Sequence, residues 1–271
     1  MSVTNDQTRK TALVTGASAG IGKAFAEQLA QRGFDLVLTA RREDRLIALA
    51  EALRSAHGVR AEVIAADLAD RDAPEALIAA VHARGLAVDV LVNNAGYNIP
   101  DRFAQTRWQQ QADLLQVLIT SVAHLTHLVL PGMIERRYGR VINIASLAAL
   151  VYGAPGRTLY PAAKGFLIKM SESLALELLD TGVSVTAVCP GYTLSEFHDA
   201  NGTRNKVSKI PGLLWMDADT VAREGIDAAL EGRVVYVNGT VNKVIAAAMR
   251  HLPNALARQV MQRQARAFHK I

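Results

Sequence analysis

The chain has 271 residues, half of them hydrophobic, and a formal net charge of +5. A chain of this length and composition can bury one large core, so we expect residues 1–271 to form a single domain. Its one cysteine, Cys189, excludes an intrachain disulfide bond and favours a cytoplasmic location. The polar first ten residues and the lack of a run of about 18 apolar residues predict neither a secretory signal nor a membrane-spanning helix.

Short apolar runs alternate with longer segments of helical spacing. The runs are continuous, as is typical of parallel strands that are covered on both faces. The seven predicted strands comprise residues 11–15, 35–40, 61–67, 89–96, 139–146, 183–190 and 233–239. In the first intervening segment, Ile21, Phe25 and Leu29 share one helix face. The alternation predicts an α/β fold, namely a Rossmann-type doubly wound parallel sheet of about seven strands with helices on both faces.

A glycine-rich turn, TGASAGIG at residues 15–22, follows the first strand directly. Its glycines are Gly16, Gly20 and Gly22, and a helix is predicted to begin at about Ile21. Glycines let the backbone approach a pyrophosphate closely, and the helix N-terminus supplies N–H groups and a favourable dipole. Glycine-rich turns occur for many reasons, but the position after the first strand favours a dinucleotide-binding site.

The ends of the second and third strands indicate which dinucleotide binds. Folds that prefer NAD usually carry an acidic residue after the second strand, whereas this chain has Arg41 and Arg42. An arginine there suits a 2′-phosphate, so Arg41 is the preferred phosphate ligand and NADP is favoured over NAD. In the alternative, both arginines lie in solvent. Asp67, at the end of the third strand, is predicted either to meet the adenine edge or to cap the following helix.

Three residues at or beyond the end of the fifth predicted strand have the chemistry of acid–base catalysis. Tyr160 and Lys164 are four residues apart and share a helix face, so the ammonium can favour the ionised phenol. Tyr160 is therefore a candidate general acid or base. Ser146, at the end of the strand, is placed to hydrogen-bond the substrate oxygen. In the alternative interpretation, Tyr160 and Lys164 are an ordinary exposed helical pair.

Residues 192–216 interrupt the alternation after the sixth strand. Ligands bind at the carboxyl ends of the strands in such sheets, so this irregular segment is predicted to be a substrate lid. Residues 213–216 (LLWM) indicate an apolar cover, although the base of a buried lid would look the same. His198 is a candidate second acid, but a lone loop histidine is more often structural.

Residues 240–271 form a basic tail, predicted to be two helices separated by Pro253. Between residues 232 and 271 there is no acidic residue and seven lysines and arginines give +7, which leaves −2 of the total +5 for the rest of the chain. In the first helix an apolar stripe comprises Val241, Val244, Ile245, Ala248, Met249 and Leu252. Three roles fit the tail: contact with an anionic membrane, closure over an apolar substrate, or a packed helix with a solvated basic face. Nucleic-acid binding is not expected, because Phe268 is the only aromatic residue after Tyr236.

Five motifs occur in the order found in one enzyme family. They are TGASAGIG, NNAG at residues 93–96, INIAS ending at Ser146, YPAAK at residues 160–164 and PGYT at residues 190–193. On these motifs the chain resembles the short-chain dehydrogenase/reductase family over nearly its whole length. The resemblance implies a nicotinamide cofactor, Ser146 as ligand of the substrate oxygen and Tyr160 as proton donor. It also implies that Lys164 binds the nicotinamide ribose and lowers the pKa of the tyrosine.

The remaining cofactor contacts are implied by the same resemblance. Asn93 and Gly96 would line the crevice, and Pro190, Gly191 and Thr193 would flank the nicotinamide carboxamide. The complete expected cofactor set comprises Gly16, Ser18, Gly20, Ile21, Gly22, Arg41, Asp67, Asn93, Gly96, Tyr160, Lys164, Pro190, Gly191 and Thr193. Members of the family form dimers or tetramers through the helices that correspond to residues 104–130 and 157–180, so a homodimer or homotetramer is expected.

The chain departs from the family pattern in its fourth helix. The family usually has an asparagine there that holds a water feeding protons to the lysine, and Leu118 takes its place. The backbone carbonyl near Leu118 and the hydroxyls of Thr120 or Ser121 are the expected substitutes; equally, Leu118 is simply a core residue. Pro161 follows the tyrosine in place of a small polar residue, which the first turn of a helix tolerates.

Together the residues and the resemblance predict an NADPH-dependent oxidoreductase that reduces a small apolar carbonyl to an alcohol, or catalyses the reverse. No cluster of histidine, cysteine or carboxylate residues has metal-ligand spacing, so no metal is expected. Leu118 keeps an alternative open, in which the protein binds a dinucleotide as a sensor or scaffold with little turnover. Retention of Ser146, Tyr160 and Lys164 argues against that alternative, because a binder has no need of an acid–base set.

Overall fold

A seven-stranded parallel sheet forms the centre of the protein. The computed structural model describes residues 9–153, 155–197, 210–253, 255–259 and 261–262. Its strands are β1 (Thr11–Thr15), β2 (Asp35–Thr39), β3 (Ala61–Val63), β4 (Val88–Asn93), β5 (Gly139–Ile144), β6 (Val183–Cys189), β7 (Tyr192–Leu194), β8 (Trp215–Asp217) and β9 (Val235–Val237). The main sheet has the order β3-β2-β1-β4-β5-β6-β9, with every neighbouring pair parallel. The order reverses between β1 and β4, where a doubly wound sheet opens a ligand crevice. The predicted fold class is confirmed.

Helices cover both faces of the sheet. They are α1 (Gly20–Gln31), α2 (Glu43–His57), α3 (Ala73–His82), α4 (Trp108–Leu115), α5 (Ser121–Glu135), α6 (Leu159–Glu177), α7 (Ala218–Leu230) and α8 (Thr240–His251). Ala12 and Val14 of β1 pack into one apolar core with α1, α2 and α7, while Leu13 packs into a second core with α3 and α5. Successive side chains of a strand point to opposite faces, so a strand covered on both is apolar throughout. This burial explains the continuous apolar runs of the sequence.

The helices α4 and α5 are joined by a π-helical turn, Gln116–Thr120, into one helix from Trp108 to Glu135. This helix has 28 residues and an 18-residue window of mean hydropathy 1.7, so by length and composition it could cross a membrane, contrary to the sequence-based expectation. Its residues Leu114, Leu125 and Met133 are fully buried beside α3, β4 and β5. A core helix of a soluble protein passes the same test, and the apolar composition here accompanies burial against the sheet.

The lid segment differs from the irregular structure that was predicted. It begins with β7 and ends with β8, and these strands pair in parallel with Tyr192 opposite Trp215. The two aromatic rings lie 5.5 Å apart and are tilted by 45°, which stabilises the pairing. Residues 198–209, including His198, lie outside the described part of the chain.

Candidate active site

A cleft of about 1080 Å³ opens at the carboxyl ends of the strands. Its walls come from the glycine-rich turn, the ends of β2 to β6, the start of α6, the lid segment and the tail. Among the described residues, those predicted to bind the cofactor, together with Ser146, Tyr160 and Lys164, line this cleft, with Asn93 and Gly22 as the exceptions. The fold therefore brings together side chains that are far apart in sequence.

The glycine-rich turn has the geometry of a phosphate cradle. Gly16 and Gly20 have φ values of +66° and +55°, which residues with a Cβ rarely adopt. A Cβ at Gly22 would collide with the carbonyl of Gly16, so Gly22 permits close packing beneath the turn rather than lining the cleft. Helix α1 begins at Gly20, and Ala19 at its N-cap provides no side-chain hydrogen bond to the first N–H groups. These features fit a dinucleotide pyrophosphate.

Two arginines follow β2 at the rim of the cleft beside the turn. Both Arg41 and Arg42 are exposed and line the cleft. Arg42 donates hydrogen bonds to the Ser18 hydroxyl, with nitrogen–oxygen distances of 3.1 and 3.3 Å, and to a carboxylate oxygen of Glu196 at 3.0 Å. Arg42 is thus more closely tied to the turn than the sequence suggested.

Asp67 lies at the cleft rim beyond β3 and is exposed. Its carboxylate accepts the Ala69 N–H at 3.0 Å, which forms a local turn and leaves the carboxylate partly open to the cleft. Helix α3 begins at Ala73 with Asp72 at the N-cap. The alternative prediction, that Asp67 caps this helix, is therefore wrong, because five residues separate it from the first helical residue.

The NNAG motif contributes residues other than the one expected. The Asn93 amide is buried, donates to Asn143 Oδ1 at 2.9 Å and to Thr126 Oγ1 at 3.2 Å, and does not line the cleft. Asn94 lines it instead, and its amide donates to the Thr15 carbonyl at 2.9 Å. Asn93 is the last residue of β4 and points into the core, so it supports the strand ends from beneath. Gly96 lies exposed in the cleft as expected.

Ser146 and Tyr160 meet in the cleft. Ser146 extends from β5 with its hydroxyl accepting the Ala148 N–H at 3.1 Å, and both Ser146 and Tyr160 line the cleft. Burial raises the pKa of Tyr160, while the Ser146 hydroxyl and the positive charge of Arg157 oppose that rise. Tyr160 is the second residue of α6 and Pro161 the third, so the proline lies in the first turn, as predicted.

Lys164 lies one turn further along α6 and is buried. Its Nζ donates to the Ile144 carbonyl at 2.6 Å and lies 5.7 Å from the centroid of the Tyr160 ring. Burial lowers the pKa of this ammonium to about 8. The sequence predicted that Lys164 would lower the pKa of Tyr160; in the structure the ammonium is turned to the end of β5, and burial of the phenol outweighs the groups that lower its pKa. Tyr160 and Lys164 are not an exposed pair.

Leu118 is fully buried in the π-helical turn, within the core on the α3 side of the sheet. A Cβ at Gly96 would come within 2.6 Å of Leu118 Cδ2, so the leucine packs directly beneath the cleft floor. Thr120 is exposed, and the buried Ser121 hydroxyl donates to the Leu68 carbonyl at 2.8 Å. Neither residue lines the cleft, and the Ser121 hydroxyl is engaged by the Leu68 carbonyl, so the geometry does not favour either hydroxyl as the expected substitute. The π-helical turn itself is a backbone irregularity of the kind found at functional sites.

The far wall of the cleft comes from the end of β6 and from the tail. Pro190, Gly191 and Thr193 line it as expected, and a Cβ at Gly191 would lie 2.5 Å from the Asn242 amide. Asn242 is buried in α8, where it donates to the Asn238 carbonyl at 2.9 Å. Sequence reasoning missed Asn242, although its position one turn before Ile245 of the apolar stripe was a signal.

The inner face of α8 differs from the predicted stripe. Asn242, Ile245 and Met249 face the cleft, whereas Val244 is 64% exposed and Ala248 is also exposed. Asn242 can be buried because its amide is hydrogen-bonded. The buried face of α8 therefore includes this polar residue and differs from the purely apolar stripe that was predicted. Met261, in the described part of the chain after Pro253, also lines the cleft.

Comparisons with known proteins agree with this site. A family model described as short chain dehydrogenase matches residues 10–206. The 3-oxoacyl-acyl-carrier-protein reductase FabG of Staphylococcus aureus is 35% identical over 240 residues, which cover 85% of this chain and 97% of that protein. A solved short-chain dehydrogenase from Sphingobium yanoikuyae, in complex with NADPH, is 30% identical with a TM-score of 0.78 and covers 91% of this chain and 97% of its own.

A second solved relative carries the other nicotinamide cofactor. This short-chain dehydrogenase/reductase from Burkholderia phymatum, in complex with NAD, is 25% identical with a TM-score of 0.78, and the match covers 88% of this chain and 92% of that one. The family match extends over most of the chain and includes the turn, Ser146, Tyr160 and Lys164. The chain is therefore an oxidoreductase that belongs to the short-chain dehydrogenase/reductase family.

Proposed function

We propose that the protein is an NADPH-dependent carbonyl reductase, or an alcohol dehydrogenase in the reverse direction, with Tyr160 as its proton donor. The observation that carries the proposal is the convergence of Ser146, Tyr160 and Lys164 in the cleft that the glycine-rich turn also lines. The Ser146 hydroxyl accepts the Ala148 N–H, which leaves its single proton to be donated to the phenol or to a bound substrate oxygen. The Tyr160 phenol donates its own proton to that oxygen.

A bound nicotinamide cofactor supplies the hydride. The chain's own part would be to hold it: the turn and the N-terminus of α1 would bind the pyrophosphate, Gly96 and the PGYT motif would border the nicotinamide, and Asp67 would meet the adenine. Lys164 donates to the Ile144 carbonyl, and its ammonium would bind the nicotinamide ribose and pass protons towards Tyr160. Because Lys164 is buried, the low local dielectric strengthens its contact with the Ile144 carbonyl.

NADP is the preferred cofactor in this proposal. Arg41, Arg42 and Ser18 line one end of the cleft and supply donors suited to a 2′-phosphate. The related solved enzymes carry NADPH in one case and NAD in another, so the family alone does not decide the preference. The arginines of this chain favour NADPH.

The substrate end of the cleft favours an apolar carbonyl compound. Apolar residues that line the cleft include Val151, Phe197, Leu214, Ile245, Met249 and Met261, of which Phe197 packs on Tyr160. Methionine side chains adapt their shape to irregular apolar ligands. We infer that residues 192–216 and the tail close over the substrate. For the tail, this is the predicted role of closure over an apolar substrate.

Single-turnover NADPH oxidation with a panel of apolar ketones tests the proposed reaction. Consumption of one equivalent of NADPH, with formation of the matching alcohol, supports it. Tight NADPH binding without hydride transfer to any carbonyl would instead support the sensor or scaffold. A variant with Tyr138→Phe, a tyrosine outside the cleft that packs on Lys10, is the control for general damage.

The remaining proposals concern partners and location. We propose a homodimer or homotetramer that buries exposed apolar residues of α4 and α6, including Trp108 at 66% and Leu176 at 72% exposure. Light scattering after gel filtration measures the oligomeric state.

The exposed Val244 and Leu256 lie beside basic residues of the tail, which supports peripheral contact with an anionic membrane. Sedimentation with vesicles tests that contact, and a cytoplasmic location is proposed from the buried free thiol of Cys189.

A further inference from the structure

The carboxylate of Glu196 pairs with Arg42 of the proposed 2′-phosphate site and with the nearby Arg45. One of its carboxylate oxygens is 3.0 Å from a guanidinium nitrogen of Arg42. Both oxygens accept from Arg45 at 2.8 Å. Arg42 in turn donates to Ser18 in the glycine-rich turn. A carboxylate therefore occupies Arg42, one of the donors that a cofactor 2′-phosphate would use.

Glu196 belongs to the lid segment, which lies across the cleft from the arginines. Ser195 Cβ lies 2.9 Å from the position that a Cβ on Gly20 would take, so the lid segment rests directly on the turn. Phe197 packs against the Tyr160 ring with centroids 5.9 Å apart. Contacts on both sides thus hold Glu196 against α2, and 154 residues of sequence separate it from Arg42.

The chemistry of a carboxylate has opposite effects on the two nicotinamide cofactors. A 2′-phosphate is an anion, so it repels Glu196 and competes with it for the N–H donors of Arg42. A ribose 2′-hydroxyl can instead donate a hydrogen bond to a carboxylate, as it does to the acidic residue of NAD-preferring folds. Glu196 supplies such an acid from the lid, although none follows β2. Because the side chain is about half exposed, solvent screens the effect and keeps it moderate.

We propose that Glu196 is a specificity-determining residue that weakens the preference for the phosphate-bearing cofactor and favours the cofactor with a free 2′-hydroxyl. The inference rests on the proposed dinucleotide site but not on which cofactor the wild type prefers. Glu196 acts by pairing with Arg42, which then binds a 2′-phosphate only after the pair is broken. The cofactor preference then depends on two opposing effects: Arg41 and Arg42 attract a 2′-phosphate, and the carboxylate of Glu196 repels it.

The test measures dissociation constants of NADPH and NADH by fluorescence titration of the full chain and of Glu196→Gln. We expect the ratio of the NADH constant to the NADPH constant to rise about tenfold in the variant, mainly through tighter NADPH binding. Adenosine 2′,5′-bisphosphate should gain affinity in the same way, while adenosine 5′-phosphate should not. Glu231→Gln, which breaks an exposed ion pair with Arg233 outside the cleft, is the matched control.

Three outcomes decide against the inference. An unchanged or lower ratio in Glu196→Gln would overturn it, as would an equal rise in the Glu231→Gln control. In an Arg42→Gln background the effect of Glu196→Gln should fall to less than threefold, and an undiminished effect would show that the two residues do not act together. Tighter binding of NADH than NADPH by the wild type would contradict the proposed cofactor preference alone, since the change of the ratio on mutation still tests Glu196.

Discussion

The ring of Phe197 lies 5.9 Å from the ring of Tyr160 and is tilted by 51° relative to it. The first part of the lid segment therefore contacts the proposed proton donor itself. This contact contributes to the burial that raises the pKa of Tyr160. The position of the lid segment therefore affects the pKa of Tyr160 through the contact between Phe197 and Tyr160.

Tyr160→Phe should abolish turnover while cofactor affinity stays nearly intact. The substitution removes the phenolic proton and little else, so kcat should fall by at least about 100-fold, in the range ascribed to general acid catalysis. The NADPH dissociation constant should change by less than about twofold. Lys164→Ala should damage both quantities, because in the proposed mechanism the ammonium binds the ribose and passes protons towards the tyrosine. NADPH consumption with a confirmed ketone measures kcat, and retained activity of the phenylalanine variant would remove Tyr160 from the mechanism.

Arg41→Asp should weaken NADPH binding and improve NADH binding relative to the wild type. The change removes a charge-assisted contact with the 2′-phosphate, worth roughly 1.5 to 3 kcal/mol, and places an acid where NAD-preferring folds have one. Titration of each cofactor gives the result directly. Equal affinity of the wild type for NADH and NADPH would show that the residues after β2 were misinterpreted.

Lys164 should make the stability of the protein depend on pH between about 8 and 10.5. Burial lowers the pKa of Lys164 in the folded state to about 8 from its ordinary 10.5. Between these values the unfolded chain binds more protons, so the free energy of unfolding rises with pH, by about 3 kcal/mol over the whole window. Below pH 8 the buried ammonium destabilises the fold.

Urea denaturation of the wild type and of Lys164→Met at pH 7.5, 9 and 10.5 measures this contribution. Other groups titrate alike in both proteins, so the stability advantage of the methionine variant should shrink as the pH rises. A difference that is constant across the window would mean that Lys164 keeps an ordinary pKa in the folded protein.

Leu118→Asn should lower the stability of the fold while changing turnover little. The substitution buries an amide in a fully apolar setting, which should cost about 1 to 3 kcal/mol of stability. Turnover per folded molecule should fall by no more than about tenfold, equivalent to roughly 1.4 kcal/mol of barrier, because Leu118 touches Gly96 rather than the reacting atoms. Thermal unfolding and kcat, measured on the same preparation, separate the two effects. A larger loss of kcat at unchanged stability would give Leu118 a direct part in the proton path.

Much of the fold and the site could be predicted because the signals lie within single elements. The apolar runs mark β1 to β6 since each strand is buried on both faces, and the glycine-rich turn is contiguous with β1. Tyr160 and Lys164 share a helix face through their spacing alone. These features follow from local geometry, so neighbouring residues in the sequence are enough to reveal them.

What the sequence did not reveal depends on contacts between distant segments. Asn93 and Asn94 are adjacent, and only the register at the end of β4 decides which enters the cleft. Glu196 meets Arg42 across 154 residues, and Asn242 packs on Gly191 from the tail. The pKa of Tyr160 was misjudged because burial, which no spacing rule conveys, outweighs a nearby charge.

The pairing of β7 with β8 ties together both ends of residues 195–214. For a connection whose ends are held, each doubling of its length costs only about 0.6 kcal/mol in closure entropy. Insertions or deletions beyond Phe197 should therefore leave Thr193, the turn and the acid–base residues where they are, because Ser195, Glu196 and Phe197 keep their contacts. Exchanging the part of the connection beyond Phe197 between relatives is thus a route to new substrate selectivity without a change at Tyr160.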